Sequence, residues 1–438
     1  MSANDLTQSE RKGGGLSALR HRDFKLYFFG QLISVTGSQM QLAAINWHIY
    51  TITKSRLALG GVGLVRVVPI ILCSLVGGAV ADAVDRKNLM KVTQSIMLAC
   101  AVMLSVITAH GLHHIWPIYL LTAIASGAIA FDSPARQSLL PMLVPEDDFP
   151  NAVSLGLIAF QLSTVIGPMV AGVLLGVSGP AIIYALNAVS FLGVIVAVFL
   201  IRASGAPGAA PSEAPMVSLA AIREGLRFVW RTPIIVQTMT LDFVATFFAS
   251  ATALLPVFAA EILKVGPRGY GLLTSASAIG SVISAFVMAR LGTIKHQGRT
   301  VLIAIGIYGA ATIGFGVSRI YWLSLTMLAL VGASDTVSTV LRQTIRQLVT
   351  PNYLRGRMTS VNMVFFMGGP QLGEMEAGTV AQFLGAPWSV ISGGIGCVLA
   401  VLIAAFKAKN LLAYIGAREY RGTEAWGSNN SQTSTADD

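Results

Sequence analysis

Five charged side chains stand at least eight residues from either end of long apolar stretches of this chain: Arg66, Asp242, Asp335, Glu374 and Glu376. A charge in hydrocarbon is costly, so each needs a partner, a water-filled cavity or a task. A carboxylate so placed can take up and release a proton, and an arginine can hold a counter-ion or an anionic ligand. Arg66 and the two glutamates fall at similar depths in their runs, so Arg66 can pair with one glutamate and leave the other to titrate. Glu374 and Glu376 are two apart on a helix and point to different faces, so both cannot face Arg66 equally. A second charged group is Gly78-Ala-Val-Ala-Asp82-Ala-Val-Asp85-Arg86-Lys87, which joins two apolar runs. Acids and bases packed into so short a connection read as a latch with defined partners. A third element, Gly167-Pro168-Met-Val-Ala171-Gly172, places small residues and a proline inside an apolar run. Small residues let helices approach closely, and the proline implies a buried kink.

The elements that position these residues follow from composition. The chain of 438 residues is 54% hydrophobic and only 11% charged, with a mean hydropathy of +0.69. Soluble domains carry about 25% charge, so this one cannot cover a surface facing water. Twelve apolar runs near 20 residues are membrane-span candidates: 27–50, 58–80, 89–109, 116–136, 152–176, 180–201, 234–258, 271–292, 300–318, 322–346, 358–384 and 388–408. They lack the period-2 alternation of a barrel, so helices are expected. The fold class is an all-α polytopic membrane protein with lipid as solvent.

The net charge of +10 is unevenly distributed. With twelve spans and both ends on one side, 24 Lys and Arg fall on the face of the termini, Arg342 and Arg346 among them, against 5 on the other. That is the positive-inside pattern, and it puts both termini in the cytoplasm. The positive charge sets topology, and no nucleic-acid partner is implied. The first 23 residues are polar and basic, so span 1 is expected to insert uncleaved. Cys73, Cys100 and Cys397 sit in apolar runs at unrelated spacings, and His110, His113 and His114 share an outer loop with no cysteine or carboxylate. Neither set predicts a metal site, and no cofactor is expected.

The chain repeats itself. Arg136-Gln-Ser-Leu-Leu-Pro-Met-Leu-Val-Pro145 echoes Arg342-Gln-Thr-Ile-Arg-Gln-Leu-Val-Thr-Pro351, and Gly167-Pro168 echoes Gly369-Pro370, at offsets of 206 and 202. A polar, Pro- and Ala-rich stretch separates the copies. The predicted organisation is an arm at 1–23, a six-helix bundle at 24–201, a linker at 202–231, a second six-helix bundle at 232–408 and a tail at 409–438, partly disordered at its Ser/Asn/Thr-rich end. Two pseudo-symmetric bundles suit rocking about a midplane site.

The pattern Gly-x-x-x-Asp-x-x-x-Arg-Lys/Arg, met by Gly78, Asp82, Arg86 and Lys87, resembles a signature of the major facilitator superfamily. The glycine usual before the arginine is Asp85 here. Leu19-Arg-His-Arg-Asp-Phe24, Phe131-Asp-Ser-Pro-Ala-Arg-Gln137, Leu255-Pro-Val-Phe-Ala259 and Gly373-Glu-Met-Glu-Ala-Gly378 resemble the branch of enterobactin exporters and transmembrane secretion effectors. The resemblance implies a major facilitator fold of twelve helices. It also implies that the loop closes the cytoplasmic side, with Asp82 facing the start of span 11, Arg86 paired with Asp132, and Arg136 one turn from Asp132. Exporters of this superfamily carry a Gly-Pro-x-x-Gly-Gly element, which Gly167, Pro168 and Gly172 match in degraded form. Spans 7 and 10, which carry Asp242 and Asp335, line the central cavity in such proteins.

No phosphate loop, zinc-protease motif or nucleophile elbow occurs in the sequence, so neither a primary pump nor an enzyme is expected. The expectation is a proton-coupled exporter of a small amphipathic or hydrophobic compound, such as a siderophore or drug, acting as a monomer in a bacterial inner membrane. An importer on the same scaffold is the alternative, and a receptor that transports nothing is a more distant one.

Overall fold

The computed structural model describes residues 16–205, 226–248, 250–292, 294–351, 354–407, 409–412 and 414. The first fifteen residues, most of the predicted linker and the tail beyond 414 lie outside the described residues. Twelve long helices carry the fold: α1 Arg22–Thr53, α2 Arg56–Ala83, α3 Arg86–Ala109, α4 Trp116–Leu139, α5 Phe149–Val177, α6 Pro180–Leu200, α7 Pro233–Phe248, α8 Gly266–Leu291, α9 Gln297–Val317, α10 Tyr321–Val349, α11 Arg355–Leu384 and α12 Ala386–Lys407. Among the described residues, ten helical stretches are long and apolar enough to cross a membrane. The other two, α1 and α11, are 32 and 30 residues long. At 1.5 Å per residue both exceed a ~30 Å hydrocarbon core. Gln31, Gln39 and Gln41 dilute the apolar run of α1, and glycines with Glu374 and Glu376 dilute that of α11.

Local chemistry sets the helix ends. Asp85 accepts the backbone N–H of Asn88 at 2.9 Å and so caps α3, while Ser55 accepts from Ala58 at 3.2 Å and caps α2. Proline opens α6 and α7, where its missing N–H costs nothing. A single helix was expected over 234–258. Instead the chain leaves α7 at Phe248, makes a 3-10 turn at Ala251–Leu254, and follows Pro256 with a π turn at Phe258–Ile262. Pro256 donates no hydrogen bond, and a wider turn accommodates the interrupted ladder.

The chain divides into two compact units, Met1–Ala214 with Thr252–Ala278, and Pro215–Ala251 with Ile279–Asp438. In the first, α3 packs on α4 and α6, and α1 on α5 and α6. In the second the same pairings recur six helices on: α9 packs on α10 and α12, and α7 on α11 and α12. Large apolar side chains such as Leu157, Phe199, Phe286 and Phe406 are exposed on the outside. Such a surface needs acyl chains against it.

Candidate functional site: a polar cavity and buried ion pairs

Inside the first unit lies a cavity of about 270 Å³. From α4 it is lined by Thr122, Ser126, Ile129, Asp132 and Arg136, and from α1 by Ser34, Ser38, Gln41 and Ile45. Both series step by three or four residues, so each is one helix face. Arg66 of α2, Gln94 of α3 and Asn187 of α6 complete its polar wall.

Asp132 is fully buried. Its Oδ1 accepts from the Thr93 hydroxyl at 2.8 Å and from Gln94 Nε2 at 3.1 Å. Arg136 Nε lies 2.8 Å from Oδ2, an ion pair across one turn of α4, although that oxygen lacks an aligned hydrogen bond. The same guanidinium donates to Gln31 Oε1 at 2.7 Å. The expected Arg86–Asp132 pair does not form. Arg86 opens α3, and Thr93 is seven residues further along, about 10 Å. Asp132 is thus served from inside the bundle while Arg86 stays at its end, with Nη1 3.3 Å from Met142 Sδ.

The charged loop has other partners. The backbone N–H of Arg86 donates to Gly205 O at 2.9 Å, and Lys87 Nζ donates to Ile201 O at 2.6 Å and Ala203 O at 3.3 Å. Asp23 accepts the N–H groups of Arg202 and Ala203 at 2.9 and 2.8 Å. The extended segment after α6 is therefore clamped between the start of α1 and the α2–α3 loop. The side chains of Gly78 and Asp82 lie outside the described residues.

In the second unit Asp242 on α7 meets two arginines of α10. Arg342 Nη2 lies 2.8 Å from Oδ1 and Arg346 Nη1 3.5 Å from Oδ2. All three are buried, Arg342 at 1% exposure. Arg342 also donates to Thr339 at 3.1 Å, and its Nε and Nη1 have no hydrogen-bond partner. Asp335 lies one turn from Thr339 and within electrostatic reach of Arg342 and Asp242. Arg342 and Arg346 are thus core residues, not loop charges that set topology. Without them the terminal face still holds 22 cations against 5. Their signal was present in the sequence: Arg342 occupies the place of Arg136 in the internal echo, and Asp335, Thr339, Arg342 and Arg346 share one helical face.

The small-residue element of α5 is built for contact. A Cβ on Gly167 would stand 2.6 Å from Gln39 Cβ and 3.0 Å from Thr36 O, on α1. On Gly172 it would stand 2.7 Å from Gly271 Cα and 2.8 Å from Pro267 O, on α8. Pro168 is buried on the same helix, and its carbonyl would lie 2.5 Å from a Cβ on Gly271. Near this contact Tyr270 donates to Ala43 O at 3.0 Å and Ser275 to Val165 O at 2.7 Å. At the far end of the unit Glu261 accepts from the Tyr50 hydroxyl and pairs with Arg56 at 3.3 Å, a cluster that sequence reasoning missed.

The remaining sites are less furnished. Arg66 is half-buried and has no hydrogen bond or ion pair among the described residues. Glu374 and Glu376 on α11 are half-buried, and Glu376 likewise has no partner among the described residues.

Residues 13–420 match the profile of the transmembrane secretion effectors. The multidrug efflux pump Tap of Mycolicibacterium fortuitum is 24% identical over 393 residues, 87% of this chain and 94% of its own. The enterobactin exporter EntS of Escherichia coli O1:K1 is 24% identical over 414 residues, 93% of this chain and 96% of its own. Among solved structures, a bacterial homologue of the lysosomal transporter Spinster superposes with a TM-score of 0.72 at 14% identity, covering 90% of this chain and 97% of that one. A POT family transporter gives 0.72 at 12%, covering 92% and 99%. With that profile spanning nearly its whole length, the chain belongs to the transmembrane secretion effector family of the major facilitator superfamily.

Proposed function

We propose that the chain is a secondary active transporter working by alternating access, and that it exports a small amphipathic or hydrophobic compound in exchange for protons. The observation that carries this reading is the polar, charged cavity that the helices of the first unit line. Such a cavity is suited to receiving and partly desolvating a small solute. The recurrence of helix pairings six helices on supports two six-helix bundles with boundaries near 24–201 and 232–408, and the two exporters among its relatives support the direction. The lysine and arginine bias supports both termini in the cytoplasm of a bacterial inner membrane.

Coupling is assigned to Glu376, a half-buried carboxylate without a partner among the described residues. Asp242 is engaged as the counter-ion of two arginines, which is a structural task. The start of α3 anchors the α6 exit through Arg86 and Lys87, and a gating contact is assigned to Asp82 on the motif that it shares with the superfamily.

Inside-out vesicles from cells expressing the protein, loaded under an imposed pH gradient with a panel of catecholate siderophores and hydrophobic dyes, test the proposal. Accumulation of a compound that collapses on adding a protonophore is expected. Accumulation indifferent to the gradient would refute proton coupling, and none for any compound would refute export.

A further inference from the structure

Arg66 lies ten residues into α2, about 15 Å along the axis and near the middle of a ~30 Å hydrocarbon layer. An arginine does not shed its proton to relieve such a position, so its charge must be met from outside the side chain. The other two charges in the lining, Asp132 and Arg136, face each other at 2.8 Å. The wall therefore carries one uncompensated positive charge.

Two other polar groups of the lining are also unsatisfied. Thr122 and Gln94 are 7% and 2% exposed, both line the cavity, and Thr122 Oγ1 and Gln94 Oε1 have no hydrogen-bond partner. Gln94 commits its amide to Asp132, which leaves its carbonyl oxygen as an acceptor. Leu42, Met97, Phe160 and Phe191 form the apolar remainder of the wall. At about 270 Å³ the space lies just below the ~300–1,000 Å³ of common ligand sites, enough for an acidic group and one compact ring system.

We propose that this cavity is a subsite for an organic acid, and that the exported compound presents a carboxylate, sulfonate or phenolate to Arg66. A hydroxyl or amine on the same ligand would donate to Gln94 Oε1. The proposal rests on the chain being a transporter whose cargo enters this cavity. An amphipathic acid satisfies each open group at once: the anion meets the guanidinium, the donor meets the glutamine, and the ring meets the apolar wall.

The test uses the full chain in phosphatidylcholine nanodiscs, which supply no net anionic lipid. Binding of 2-naphthoate, 2-naphthamide and 2-naphthylmethylammonium is compared by calorimetry after subtracting empty discs. Because hydrogen bonds to charged groups are the stronger class, the acid should bind at least about tenfold tighter than the amide or the cation. Arg66→Gln should reduce the acid to the amide's affinity, and Arg66→Lys should keep an intermediate preference. Equal affinities, no measurable binding of the acid, tighter binding of the cation, or a preference that survives Arg66→Gln each overturn the subsite. So does displacement of 2-naphthoate in discs of phosphatidylglycerol, which would make the anion a lipid headgroup. Arg66-dependent binding without accumulation of any compound in vesicles would sink the export reading alone. Proton-driven transport with no charge preference in binding would sink the subsite alone.

Discussion

Asp242→Asn removes the carboxylate that two buried arginines share while keeping the size of the side chain. Arg342 approaches Oδ1 at 2.8 Å and Arg346 approaches Oδ2 at 3.5 Å. At an effective dielectric near 20 those separations correspond to gross attractions of about 6 and about 5 kcal/mol. Desolvation and repulsion between the guanidiniums cancel much of this, and stranding a buried charge costs about 3–5 kcal/mol net. Asp242→Asn should therefore destabilise the protein by that amount in SDS-induced unfolding from mixed micelles. Arg342→Gln should cost nearly as much, because its contact is short and 1% exposed. Arg346→Gln should cost about 1–2 kcal/mol, since at 3.5 Å its hydrogen bond is marginal. The decisive measurement is the double mutant Asp242→Asn/Arg342→Gln. Once Asp242→Asn is in place Arg342 is itself a stranded charge, so its removal then loses no ion pair, and the pair should be less destabilised than the sum by at least about 1 kcal/mol. Additivity within about 0.5 kcal/mol would refute the claim that these residues form one electrostatic unit.

Four shorter predictions accompany it. Gly172→Leu should lower transport at least tenfold, because its Cβ would stand 2.7 Å from the backbone of Gly271, whereas Gly156→Ala on the same helix meets nothing within 4 Å and should stay within twofold of wild type; equal effects would dismiss the contact. Glu376→Gln should abolish transport driven by a pH gradient while leaving substrate counterflow intact, and retained gradient-driven uptake would exclude it from coupling. Asp85→Ala should cost about 1 kcal/mol through loss of the α3 cap and Asp85→Gly only a few tenths, read by thermal unfolding of the purified protein. Glu261→Gln should cost under about 1 kcal/mol, since its pair with Arg56 is partly exposed, and a larger loss in the same assay would show that the cluster is more than a surface pair.

The twelve apolar runs were legible because a membrane helix writes its length directly into the sequence. The repeat was legible because its echoes, Arg136 against Arg342 and Gly167 against Gly369, recur at nearly one offset. Partners were not. Asp132 was matched to Arg86 by motif, yet Thr93 and Gln94, which meet it, sit on a face of α3 that only packing reveals. Arg342 and Arg346 looked like loop charges because they lie near the end of an apolar run, while α10 continues to Val349 and buries both. The cavity was legible only in part. Arg66 stood out as a charge in hydrocarbon, but that Ser34, Ser38 and Gln41 face Thr122 and Ser126 depends on how α1 and α4 are rotated toward each other.

The meeting of Gly172 with Gly271 bears on speed as well as fit. Two backbones touch there with no side chain on either, so no rotamers must freeze when the contact forms and none must be reset when it parts. A seam zipped by leucines would interlock and release slowly; a bare seam works as a sliding bearing, holding a spacing while adding little friction. A transporter working by alternating access, as proposed above, gains from joints of that kind.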